Sequence, residues 1–152
     1  MVRQLALCVL LFLLGSDSFT AKVIGVIDGD TIVVLTNDKQ QIKIRLEGID
    51  CPESNQDYGN RAKQATVELC FGKEVTVQKT GVDQYGRTLA YIYVGDLCVN
   101  KQLLSLGMAW HYKQYNKDQE LAKLETEARE KKMGLWSQPN PTAPWDFRHN
   151  KK

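Results

Sequence analysis

Five short strand patterns, with helical patterns inserted and appended, predict an α+β fold that is mainly β: a five-stranded Greek-key barrel with three helices. Three observations carry this. Val- and Ile-rich segments fill the first half of the chain between turn signals. Within two strand patterns apolar residues recur with period two, and three later stretches carry apolar stripes at helical spacing. With 152 residues, the chain has room for one domain and a small core. Hydrophobic residues make up 43% and charged residues 25%, which excludes a wholly disordered chain.

The first strands are expected at Lys22 to Val26 and Thr31 to Leu35, joined by the turn Asp28-Gly29-Asp30. After a second turn at Thr36 to Lys39, Ile42, Ile44 and Leu46 alternate with Lys43 and Arg45. If the three apolar residues face the core, Arg45 faces away from it. Ala62, Ala65, Thr66, Leu69 and Cys70 form one helical face, and Gly72 is a plausible stop. Val75 and Val77 suggest the fourth strand, and Thr88 to Val94 the fifth. A second helix carries Val99, Leu103 and Leu106 up to Gly107. A third carries Leu121, Leu124 and Ala128 and ends near Gly134. Such an order suits a small barrel of the oligonucleotide-binding type, although periodicity by itself leaves another α+β arrangement open.

Residues 1–21 are expected to be a signal peptide rather than part of the fold. Arg3 supplies the positive start, and Leu5 to Leu14 is an apolar run too short to span a bilayer. Small and polar residues follow, with cleavage candidates at 18/19 and 21/22. The mature domain is then 22–137, and 138–152 is a basic tail with prolines at 139, 141 and 144, expected to lie over the surface or be loose. Export to the periplasm or the medium follows, with no membrane anchor. Cys51, Cys70 and Cys98 remain after cleavage, an odd count without a CxxC pair, so zinc is disfavoured and at least one thiol is free or paired between chains. The net charge of +2 permits a nucleic-acid partner without arguing for one.

The chemistry-bearing candidates are carboxylates and arginines. Asp30 sits in a turn, and Asp50-Cys51-Pro52-Glu53 sets two acids around a rigid proline. Such oxygens suit a hard divalent cation, and calcium tolerates an irregular shell. Spacing alone fits caps and solvated turn acids better. Arg45 and Arg87 offer planar paired donors that match phosphate oxygens, or surface ion pairs of little consequence.

Three blocks carry a resemblance: Val26-Ile27-Asp28-Gly29-Asp30-Thr31, then Ile44-Arg45-Leu46-Glu47-Gly48-Ile49-Asp50-Cys51-Pro52-Glu53, then Asp83-Gln84-Tyr85-Gly86-Arg87-Thr88-Leu89-Ala90-Tyr91. In order and spacing they resemble the signature blocks of the staphylococcal nuclease, or thermonuclease, family, and the likeness runs from about Val23 to Ser137. The resemblance implies an oligonucleotide-binding-type barrel, a single calcium ion, and hydrolysis of DNA and RNA. It makes Asp30 and Asp50 calcium ligands, with Cys51 contributing its backbone carbonyl only. It makes Glu53 the general base on a water, Arg45 and Arg87 the phosphate-binding and charge-stabilising residues, and Tyr85 a nucleotide contact. Gln84 departs from members that have a basic residue there.

Tyr112 and Tyr115 lie in an aromatic, basic stretch and divide between stacking on a base and packing. His111, His149, Trp136 and Trp145 are expected to be structural. The expected function is a calcium-dependent nuclease, acting as a monomer without a stable protein partner. The competing class is a non-catalytic nucleic-acid or protein binding module on the same barrel. Such a binder has no need of the full set Asp30, Arg45, Asp50, Glu53 and Arg87, all present here.

Overall fold

In the computed structural model the described residues are 17–151, so the expected signal peptide falls mostly on 1–16, outside them. Strands β1 (Ser18–Asp28), β2 (Thr31–Leu35) and β3 (Gln41–Leu46) form an antiparallel meander. A two-residue strand β4 (Ile49–Asp50) and helix α1 (Gly59–Cys70) follow. Strands β5 (Glu74–Val82) and β6 (Thr88–Val94) form a hairpin, extended by β7 (Leu97–Cys98). β5 also pairs with β1, and β6 pairs in parallel with β3 through Arg45↔Leu89, closing a five-stranded barrel. Helix α2 (Val99–Ser105), strand β8 (Trp110–His111), helix α3 (Gln119–Glu130), a 3-10 turn at Gly134–Ser137 and helix α4 (Pro144–His149) complete the order.

The barrel interior follows the expected alternation. Ile32, Val34, Ile44, Leu46, Ala90 and Ile92 are buried, whereas Arg45 points to the other face. Helix α1 covers one end with Ala62, Thr66 and Cys70, and Gly72 follows it at φ 74, a left-handed position that costs glycine little. Buried Asn100 joins α2 to the barrel. Its Oδ1 accepts from the Ile92 amide at 3.0 Å, while its Nδ2 donates to the carbonyls of Glu47 and Ala90. The thiols of Cys51, Cys70 and Cys98 are buried and free. Among the described residues no helix is long and apolar enough to cross a membrane.

Two expectations need correction. The first strand starts at Ser18, four residues before Lys22, because Ser18 to Lys22 pair with Gln78 to Glu74 of β5 and Ala21 is buried. There are four helices among the described residues rather than three. The fourth lies in the tail expected to lie over the surface or be loose, and there Pro144 takes the first helical position and is buried together with Ala143. A second cluster holds it down: Trp110 meets Trp136 edge-on at 4.5 Å between ring centroids and Trp145 at 5.4 Å. The Arg129 guanidinium covers the Trp136 ring at 4.0 Å.

Candidate active site

The β1–β2 turn is pressed against the loop that leaves β4. A Cβ on Gly29 would stand 2.9 Å from Cys51 Cβ and from Ala62, so glycine permits the approach. Thr66 Oγ1 donates to the Gly29 carbonyl at 2.6 Å, pinning the turn to α1. Within the turn, Asp28 Oδ1 accepts the Asp30 amide at 3.1 Å and Thr31 Oγ1 donates to Asp30 Oδ1 at 3.3 Å. Asp28 and Thr31 therefore shape the turn around Asp30. Asp30 Oδ2 in turn accepts the Cys51 amide at 2.7 Å, tying two chain segments 21 residues apart.

Arg45 reaches this junction from β3. Its Nη1 donates to the carbonyls of Leu46 and Ile49, each at 2.8 Å, which fixes the guanidinium plane. Its Nη2 lies 3.4 Å from Asp30 Oδ2 and 3.3 Å from Asp50 Oδ1. Two nearly buried carboxylates thus converge on one nitrogen. Burial alone would lower the Arg45 pKa, but Asp30 and Asp50 outweigh it and hold it above the ordinary value.

Glu53 comes from the loop between β4 and α1. Its amide donates to Gln56 Oε1, and its carbonyl accepts the Gln56 amide at 2.9 Å. The Glu53 carboxylate meets Asp50 through a residue the sequence reading missed, Arg148 of α4. Arg148 Nη1 is 2.6 Å from Glu53 Oε1, and Nη2 is 2.8 Å from Asp50 Oδ2. No signal in the sequence pairs positions 95 and 98 residues apart.

Four carboxylates, Asp28, Asp30, Asp50 and Glu53, face two guanidinium groups, Arg45 and Arg148. Burial first, and the neighbouring carboxylates after it, show in the protonation equilibria. Burial, then the Asp30 charge, push Asp28 up to about 7. Asp50 is also raised, by burial first and against the Arg148 hydrogen bond. Burial and Asp30 push the Cys51 thiol well up, so it stays neutral. The donors are carboxylate oxygens with an excess of negative charge, which fits one hard divalent cation such as calcium. Among the described residues no three His, Cys, Asp or Glu side chains form a ready-made metal cage. Asp30 and Asp50 would supply two ligands to such an ion, and backbone carbonyl or water oxygens would be needed to complete its shell.

Arg87 pairs with an acid outside the Asp30, Asp50 and Glu53 cluster. Its Nε donates to Asp83 Oδ2 at 2.7 Å, while Asp83 Oδ1 accepts the amides of Tyr85 and Arg87. These bonds hold the Asp83 pKa below its ordinary value despite the opposing effect of burial. Arg87 immediately precedes β6, two residues ahead of Leu89, the partner of Arg45. Tyr85 and Tyr115 are among the most exposed large side chains. Tyr112 is not open in this way: Trp145 stacks on its ring at 5.4 Å with planes 5° apart, and Tyr115 meets it edge-on. His111 is buried, with Nε2 at 3.0 Å from Asn116 Oδ1. His149 Nδ1 bonds the Trp145 carbonyl.

The family model described as staphylococcal nuclease homologue matches residues 43–138. A protein named micrococcal nuclease from Shigella flexneri is 42% identical over 145 residues, covering 88% of this chain and 83% of that protein. One named uncharacterized endonuclease from Escherichia coli is 44% identical, covering 86% of this chain and 85% of its own. A staphylococcal-like nuclease of Arabidopsis thaliana is 43% identical over 74% of this chain and 35% of its own length.

Proposed function

This chain belongs to the staphylococcal nuclease family, and from that premise we propose that it is an exported, calcium-dependent nuclease hydrolysing phosphodiester bonds of DNA and RNA with little sequence preference. Nuclease activity itself is the common property of the relatives' names. The observation that carries the finer reading is the convergence of Asp30 and Asp50 on the Arg45 guanidinium, with Glu53 reached from Asp50 through one further arginine.

In this reading Asp30, Asp50 and the Cys51 backbone carbonyl hold one calcium ion. When bound, calcium supplies charge neutralisation at the phosphodiester. Arg45 is locked by two backbone carbonyls, so its remaining donors need no reorganisation as charge shifts to the phosphoryl oxygens. Arg87 gives a second guanidinium from the same wall once a phosphate draws it from Asp83. Glu53 takes a proton from the attacking water. The water oxygen bonds to phosphorus, one ester P–O bond breaks, and the departing oxygen takes a proton from solvent. Exposed Tyr85 and Tyr115 offer faces for the bases of the strand.

The test is digestion of plasmid DNA and of RNA by the mature chain. Cutting in calcium, none in chelator, and poor rescue by magnesium are expected, since magnesium demands a tighter octahedral shell. Full activity in chelator overturns the roles of Asp30 and Asp50. Export is checked by mass spectrometry. An N-terminus at or before Phe19 keeps most of the β1–β5 pairing, whereas cleavage at 21/22 removes four of its pairs.

A further inference from the structure

We propose that Arg148 is a substrate-binding residue of this site, pairing with the acids in the metal-free protein and with the phosphodiester in the loaded one. This rests on the nuclease reading above. Its side chain straddles the two acids. Nη1 contacts Glu53 Oε1 at 2.6 Å and Asp50 Oδ1 at 3.2 Å, while Nη2 contacts Asp50 Oδ2 at 2.8 Å and the Tyr112 hydroxyl at 3.5 Å. Both oxygens of Asp50 are therefore engaged by one guanidinium.

Asp50 is 2% exposed at its side chain and Arg148 is 39% exposed, so Arg148 stands on the solvent side of the carboxylate. A divalent cation bound by Asp50 brings a like charge against both guanidinium groups on that carboxylate; Arg45 is held by two main-chain carbonyls, so the displacement falls on Arg148. The helix does not have to leave with it. Helix α4 is held by Trp145 against Tyr112 and Trp110, and by buried Ala143 and Pro144, so displacement falls on the long Arg148 side chain. A tethered guanidinium freed beside a metal site meets the anion the substrate brings. Its planar fork matches two phosphate oxygens, as it now matches the oxygens of Asp50 and Glu53. The segment lies beyond the 43–138 region matched to the family model, so this third guanidinium is added to the barrel by the tail.

The test uses the mature full chain and its Arg148→Ala and Arg148→Lys variants, each shown to melt cooperatively. Calcium binding is measured by calorimetry without nucleic acid, and digestion of DNA is measured over a range of substrate. For Arg148→Ala, calcium is expected to bind about three- to ten-fold tighter, since the competing charge is gone. Its kcat/KM is expected to fall at least about ten-fold, since a phosphate donor is gone. Arg148→Lys keeps the charge without the fork, so calcium affinity stays near the parent's while kcat/KM falls between the other two. Arg148→Ala with parental or higher kcat/KM overturns the proposal, leaving the contact as a latch. So does unchanged calcium affinity, which would put the metal away from Asp50. A parent that binds calcium yet cuts nothing overturns the nuclease reading itself, and this proposal with it.

Discussion

The barrel wall and the C-terminal segment each send one guanidinium to Asp50, and they hold it differently. Arg45 belongs to a closed strand ladder and donates to two main-chain carbonyls; its side chain is 11% exposed. Arg148 extends from a six-residue helix, bonds to side chains at its tip, and is 39% exposed. A charge tied into the backbone cannot leave without unmaking the wall. A charge held only by side-chain tips can be exchanged for a competing cation without unmaking the fold. The site thus combines one fixed cation with one exchangeable cation, and the exchangeable one is supplied by the region the sequence describes least.

The largest expected effect tests the fixed side. Arg45→Lys keeps a charge but cannot serve Leu46, Ile49, Asp30 and Asp50 together. Turnover in calcium should fall by about a hundred-fold or more, as when a preorganised donor is lost. Activity within a few-fold of the parent, in a digestion assay on folded protein, would reduce Arg45 to a structural pair.

Next comes the loop that joins the two regions. A Cβ on Gly59 would stand 1.9 Å from the Glu53 carbonyl oxygen, which is backbone and cannot swing aside. The same loop meets the tail where Gln56 Nε2 donates to the Thr142 carbonyl at 2.6 Å. Gly59→Ala should cost about 2 kcal/mol or more of stability by overpacking. It should also lower kcat by displacing Glu53. An unchanged melt would mean that the loop adapts freely.

A smaller effect probes the tail's anchor. Trp145→Ala removes the stack on Tyr112 and the edge contact with Trp110. A loss of about 1 to 3 kcal/mol is expected for this half-buried aromatic. If the tail works as a delivery arm, digestion by Trp145→Ala should fall in the same direction as for Arg148→Ala. Parental kcat/KM in a folded variant would mean that the anchor does not position Arg148.

The contrast also marks what was legible in the sequence. Period two placed Ile42, Ile44 and Leu46 inward and Arg45 outward, because a strand's facing is a local property. The meeting of Asp30 with the loop after Asp50 followed from a family likeness rather than from spacing. Helix α4 was hidden for two reasons. Six residues are too few for a helical period to show, and prolines read as breakers although Pro144 occupies the one helical position that needs no amide. Arg148 was hidden because its partners lie almost a hundred residues away. The early start of β1 was hidden because Ser18 to Ala21 gain strand character from pairing with β5 rather than from their own composition.

The smallest expected effect concerns the turn that leads into Arg87, at the edge of the barrel wall. Tyr85 is 74% exposed, and its ring lies 5.4 Å from the Arg87 guanidinium carbon. Asp83 carries the turn by accepting both amides, so the ring contributes little to the fold. Tyr85→Ala should leave stability within about 0.5 kcal/mol of the parent, as for other surface changes. Its consequence should lie in substrate binding. Stacking of a base on an aromatic face is worth about 1 to 3 kcal/mol, so KM for single-stranded DNA should rise about five-fold or more while kcat changes little. Tyr85→Phe retains the ring face and should keep KM near the parent's. If Tyr85→Ala instead lowers kcat with KM unchanged, the ring acts by holding Arg87 in place. The turn would then behave as part of the fixed wall. If KM alone moves, the turn is a separate strand-binding element, and Arg87 is freed by the phosphate it meets rather than by any change in the ring above it.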